Sequence, residues 1–131
     1  MSEQSVFWDD LAEDLKDPDF LREFVLESVR IKTVDSILNM LDQAREQSQL
    51  SKAALARAAS IEPAAVRRLL SARGNPTLHT VSELAAALGL RLTLEPLDGR
   101  GGEILSDALV SGIVSDLPGL GDAVEQFDRA S

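Results

Sequence analysis

The stretch from Leu50 to Leu94, LSKAALARAASIEPAAVRRLLSARGNPTLHTVSELAAALGLRLTL, constrains the fold more than any other. Two short patterns of helical period flank the break Ser60-Ile61-Glu62. In the first, Leu55, Ala56 and Ala59 fall on one face, and Ser51 stands where a side-chain oxygen caps free amides. Ala56 is small, as a tight crossing of two helices requires. The second opens on Pro63, suited to a first helical position, and turns Val66, Leu69 and Leu70 inward. Ala64, Ala65, Arg67 and Arg68 then face outward. Gly74-Asn75-Pro76 breaks this helix, and Thr77 caps a third whose inner face is Leu78, Val81, Leu84, Ala85 and Leu88, closed by Gly89. From Leu90 to Leu94 apolar and polar residues alternate, which predicts a short strand. No comparable strand exists elsewhere in the chain. The pattern therefore predicts pairing with a second copy through Leu90, Leu92 and Leu94, in a homodimer.

Charge divides the chain. The net charge is -9, yet between Arg45 and Arg91 seven basic residues meet three acidic ones, a local +4. The remainder sums to -13, a basic centre between two acidic arms. There is no cysteine and a single histidine, His79, so no thiolate metal site is available and a surface or capping role fits His79. Nothing approaches an apolar run of about 18 residues, so the expectation is a soluble, cytoplasmic protein that does not enter membranes. No nucleophile–base pair, phosphate loop or paired-carboxylate cleft appears. The chain reads as a non-enzyme that needs no cofactor or metal.

Upstream, Trp8, Leu11 and Leu15 have helical spacing within an acidic segment. Asp17-Pro18 marks a helix start, and Phe20, Leu21, Phe24, Val25 and Ser28 mark one face of that helix. A break is expected near Arg30-Ile31-Lys32-Thr33, with Thr33 capping afresh a helix that carries Val34, Ile37, Leu38, Leu41 and Ala44. Downstream, residues 96–102 read as a linker. Leu105, Leu109, Ile113 and Leu117 follow as one amphipathic pattern, interrupted at Pro118-Gly119. The domain reading is residues 1–32 as an acidic helical extension, 33–97 as the central domain, and 98–131 as linker and acidic arm.

The residues Leu50-Ser51-Lys52, Leu55-Ala56, Ile61, Val66, Asn75-Pro76-Thr77-Leu78, Thr80 and Leu84-Ala85-x-Ala87-Leu88-Gly89 resemble the Xre/phage-repressor type of helix-turn-helix. Leu15-Lys16-Asp17-Pro18-Asp19-Phe20 before a helix, and the trailing Leu90–Leu94 run, resemble HigA-like antitoxins of type II toxin–antitoxin modules. The resemblance implies a mainly α fold, a five-helix helix-turn-helix domain with one short dimerising β-strand and a C-terminal acidic arm. It implies a protein that binds double-stranded operator DNA, represses its own operon and neutralises a basic RelE/HigB-like mRNA-cleaving toxin. A stand-alone Xre-family repressor without a toxin is the alternative.

By position, the resemblance assigns DNA contacts to Ser51, Lys52, Pro63, Ala64, Ala65, Arg67, Arg68, Arg73 and Asn75. Two departures stand out. Ser60 occupies the turn position usually held by glycine, and Pro63 and Ala64 cannot hydrogen-bond a base, which leaves Arg68 as the one strong reader. For Arg67 and Arg68 the competing reading is a solvated helix face. Candidate anchors for a toxin are Trp8, Phe20 and Phe24 in the first arm and Leu105, Leu109 and Ile113 in the second; the competing readings are ordinary core for the Phe20 and Phe24 stripe and plain solubilising charge for the acidic arms.

Overall fold

The computed structural model describes residues 3–72 and 74–128. Among these residues the chain forms seven α-helices and a short 3-10 turn. They are α1 (Glu3–Asp14), α2 (Pro18–Gln47), α3 (Lys52–Ala58), α4 (Pro63–Ala72), α5 (Leu78–Ala87), α6 (Gly101–Ser111), α7 (Leu117–Glu125) and the 3-10 turn Gln126–Asp128. The count exceeds the five helices expected, because the segment from Gly101 onward, read as an arm, folds into two more.

The helix starts are those that side-chain chemistry dictates. Asp17 Oδ1 accepts from the amides of Asp19 at 2.9 Å and Phe20 at 3.4 Å. Ser51 Oγ accepts from Ala54 N at 3.0 Å, Thr77 Oγ1 from Thr80 N at 3.1 Å, and Asp116 Oδ1 from Gly119 N at 2.9 Å. Each satisfies an amide that a helix's first turn leaves without a partner. Pro118 therefore lies in the opening turn of α7 and does not interrupt an existing helix.

Two compact units emerge. One joins the segment up to Lys32 with the segment from Pro96 onward; the other is Thr33–Glu95. The core of the first is Leu15, Leu21, Val25, Ala108 and Leu120, with Leu11, Val29, Ile104, Leu105, Leu109, Val114 and Val124 packed against it. Arg22 fastens α2 to the end of α6. Its Nε donates to the Leu109 carbonyl at 2.9 Å and its Nη2 to the Val110 carbonyl at 3.3 Å, a cation on carbonyls that no longer have a helical partner. Gly112 ends α6 at φ +75°, and a Cβ there would lie 2.6 Å from the Pro18 Cβ, so both its backbone angle and its surroundings call for glycine. Gln126 closes the unit by exchanging hydrogen bonds with the Asp98 backbone, accepting from its amide at 2.7 Å and donating to its carbonyl at 3.3 Å.

The core of the second unit is Leu41, Leu55, Ala56, Ala59, Val66, Val81, Leu84 and Ala85. Leu55, Ala56, Val66 and Leu84 are fully buried.

Several sequence expectations need correction. The helix that begins at Pro18 does not break near Thr33 but runs on to Gln47. A β-branched cluster lowers helix propensity only slightly, and packing on both sides of it outweighs that cost. Along its first half, Leu21 and Val25 are buried while Phe20 and Phe24 are exposed, so the buried stripe is narrower than the sequence suggests. The pattern from Leu105 to Leu117 is cut at Gly112, leaving Ile113 outside either helix. The expected strand is absent: among the described residues none is in a strand, and Leu90, Leu92 and Leu94 are exposed, Leu94 completely. A lone strand cannot satisfy its own backbone, and the single chain offers it no neighbour. Leu78, assigned inward, is also exposed, at 75%, because it is the first residue of α5 and precedes the turn that meets the core.

Thr33 carries a distinct cost. Its Oγ1 is buried and has no hydrogen-bond partner. Thr33→Val keeps the shape and removes an unsatisfied polar atom, so it should stabilise the protein by about 1 kcal/mol, read as a higher urea midpoint with unchanged slope.

Candidate nucleic-acid interface

Helices α3 and α4 pack across the four residues Ala59–Glu62, and the turn's hydrogen bonds fix how they meet. Ser60 N donates to the Arg57 carbonyl at 3.2 Å and Ile61 N to the Ala56 carbonyl at 2.9 Å. This pair of bonds is the Schellman termination, which needs a left-handed residue between helix and exit; Ser60 supplies it at φ 57°. The strain anticipated for a serine in the glycine position is therefore present. Ile61 follows and packs on the core, which turns the chain into Pro63.

From Pro63 the helix buries Val66, with Leu69 and Leu70 partly buried against the same core. Ala64, Arg67, Arg68 and Ser71 are all exposed, at the i, i+3, i+4, i+7 spacing of one helical face. Pro63 and Ala65 flank them, half-buried. Neither arginine has a carboxylate partner among the described residues. Each guanidinium is thus free to offer its planar set of donors outward. Lys52, at the start of α3, reaches α4, where its Nζ donates to Ser71 Oγ at 3.1 Å. The cation is thereby held beside the arginine face. Sequence reasoning missed Ser71, although its spacing from Ala64 and Arg67 was the signal available.

Ser51 Oγ accepts one bond as the α3 cap and keeps its hydroxyl proton. Asn75 is exposed in the loop before α5, and Arg73 lies outside the described residues. Arg57 and Arg91 are exposed. Arg45 differs from them: its side chain is only 13% exposed, its Nε donates to Asp42 Oδ1 at 2.9 Å and its Nη1 to the Leu50 carbonyl at 2.7 Å. It holds the α2–α3 turn and is not part of the outward face. His79 pairs with Glu83 one turn along α5. Among the described residues no cluster of three or more metal-ligating side chains occurs. Among them, too, no helix is long and apolar enough to cross a membrane.

The other expected sites fall apart into different environments. Phe20 and Phe24 are exposed and stack with ring centroids 6.1 Å apart. Leu105 and Leu109 are packed on the core of the first unit, while Ile113 is 67% exposed in the loop after α6. The side chain of Trp8 lies outside the described residues.

An exposed cationic helix face set second in a helix pair of this geometry defines a helix-turn-helix. The comparison with known families agrees: residues 41–94 match the Helix-turn-helix family, which supports the Xre-like reading of this segment. No curated protein matches the chain, and no solved structure does.

Relieving the turn offers a direct check. Ser60→Gly removes left-handed strain of about 1 kcal/mol while adding some freedom to the unfolded chain, so a net gain of about 0.5 kcal/mol in urea unfolding is expected. A loss would mean that the Ser60 side chain itself supports the turn.

Proposed function

We propose that the protein is a sequence-specific DNA-binding transcription regulator that presents α4 to the major groove as its recognition helix. The observation that carries this reading is the stripe Ala64, Arg67, Arg68 and Ser71, its two guanidinium groups unpaired among the described residues, in a segment matching the helix-turn-helix family. Arg68 is the base reader, because a guanidinium matches the two acceptors of guanine. Arg67, Lys52, Ser51, Asn75 and Arg73 contact phosphate. Pro63, Ala64 and Ala65 offer only apolar contact, suited to a thymine methyl. One strong reader per copy gives limited discrimination, so a homodimer on two half-sites is part of the proposal. Leu90, Leu92 and Leu94 would supply the second interface: they are exposed, alternate, and lie in a segment whose backbone a partner copy can pair.

The finer reading is an antitoxin of the HigA-like kind, which represses its own operon and neutralises a basic RelE/HigB-like toxin. Charge supports it. The unit formed by the chain ends carries sixteen carboxylates against six basic residues, a net -10, whereas Thr33–Glu95 carries seven basic against six acidic, a net +1. Such a potential attracts a cationic protein and speeds its encounter. A stand-alone repressor is the alternative, favoured if the neighbouring gene encodes no small basic protein.

Mobility shifts with the protein's own upstream promoter DNA test the DNA reading. Arg68→Ala should cost about 1–3 kcal/mol and relax preference at one base pair, and Arg67→Ala should weaken all sequences alike and flatten the salt dependence by about one unit of slope. Binding unaffected by reversing both charges would overturn it. Leu92→Asp should shift sedimentation from dimer toward monomer; an unchanged dimer would place its interface elsewhere.

A further inference from the structure

Between α1, α2 and α7 the first unit carries a groove of about 580 Å³. Its walls include Leu11, Leu15, Phe24, Leu117, Pro118 and Val124. Phe24 also belongs to the exposed face of α2, where it stacks on Phe20 and where Ile31 lies two turns further along the same stripe. The apolar surface therefore continues from the groove onto the helix. Charged residues border it: Glu27 is paired with Arg30 at 2.5 Å and Asp128 with Lys32 at 2.7 Å, whereas Glu23 beside the phenylalanines and Glu125 on the groove wall make no ion pair among the described residues. An apolar surface whose rim keeps two carboxylates without an ion pair among the described residues, in a unit of net -10, favours a cationic occupant.

We infer that this groove docks a cationic amphipathic helix of a partner protein, whose large apolar side chains enter between α2 and α7 while its lysines or arginines meet the surrounding carboxylates. A groove between helices accepts the i, i+3, i+4, i+7 apolar face of another helix, and Phe20 and Phe24 extend the contact beyond the groove. A second copy of this unit is disfavoured by like charge. The inference rests on the reading of the acidic unit as partner-binding, and it names the chemistry of what that unit holds.

Gly121 makes the test clean. It lines the groove, and a Cβ added there meets nothing within 4 Å. Gly121→Leu therefore adds apolar bulk at the groove wall with no clash at its Cβ, and leucine is the better helix former. The probe is a fluorescent Leu/Lys amphipathic helix of about 18 residues, titrated into the full-length protein. A Leu/Glu helix of identical pattern and a Lys/Ser helix lacking the apolar face serve as controls. The expected result is saturable one-to-one binding of the Leu/Lys helix alone, weakened about tenfold or more by Gly121→Leu and by Phe24→Ser. Urea midpoint and promoter-DNA binding of Gly121→Leu should stay at least at the wild-type level. Equal binding by the variants, equal binding of either control peptide, or self-association abolished by Gly121→Leu would each overturn the inference. Neutralisation of the neighbouring gene's product is scored separately. If it persists in Gly121→Leu, the groove is not the docking site while the antitoxin reading stands; if wild-type protein fails to neutralise although the peptide binds through the groove, the antitoxin reading falls alone.

Discussion

The helix-turn-helix unit depends on a backbone device repeated three times: a helix ends on a left-handed residue that turns the chain out of it. Gln49 at φ 58°, Ser60 at φ 57° and Gly89 at φ 75° hold these positions. At each, the following residue's amide returns to a carbonyl five residues back, as Leu50 to Arg45, Ile61 to Ala56 and Leu90 to Ala85. These bonds satisfy carbonyls that a helix end would leave unpaired and turn the chain through a fixed angle. Leu55, Val66 and Leu84 meet in one core, and α4 holds Arg67 and Arg68 exposed outside it. Two of the three positions are filled by residues with a Cβ. The core burial that follows outweighs the local strain.

The unit built from the chain ends obeys a different logic. Its parts come from opposite ends of the sequence, and α6 and α7 are short, a length at which isolated helices are marginal in water. They gain their stability by burying Ala108 and Leu120 against Leu21 and Val25, with Arg22 capping α6. A surface of carboxylates surrounds this core, and the exposed Phe20–Phe24 stack lies among them. The cationic face and the acidic, apolar face thus sit on separately organised units.

Much of this was legible along the chain. Ser51, Thr77 and Asp17 announce helix starts, Gly89 a stop, and the outward position of Arg67 and Arg68 follows from the inward spacing of Val66, Leu69 and Leu70. These features act within four residues, where sequence and geometry are tightly linked. The failures share a physical character. The alternation at Leu90–Leu94 describes a strand, but a strand exists only with a partner, and the chain supplies none. Thr33 has the chemistry of a cap, yet the helix around it is held by packing and continues, leaving its hydroxyl buried without a partner. Leu78 fits the period of α5 but lies one turn too early to reach the core.

By itself, then, the sequence determined where most helices begin and end, which residues of the central segment face inward, and that a basic centre lies between acidic arms, because capping, periodicity and charge are local properties. Only the tertiary structure decided that the two arms share one core, that Leu105 and Leu109 belong to it, and that Phe20 and Phe24 remain exposed beside an open groove. Residues about ninety positions apart meet through burial of apolar surface, and that force carries no mark in the order of the chain.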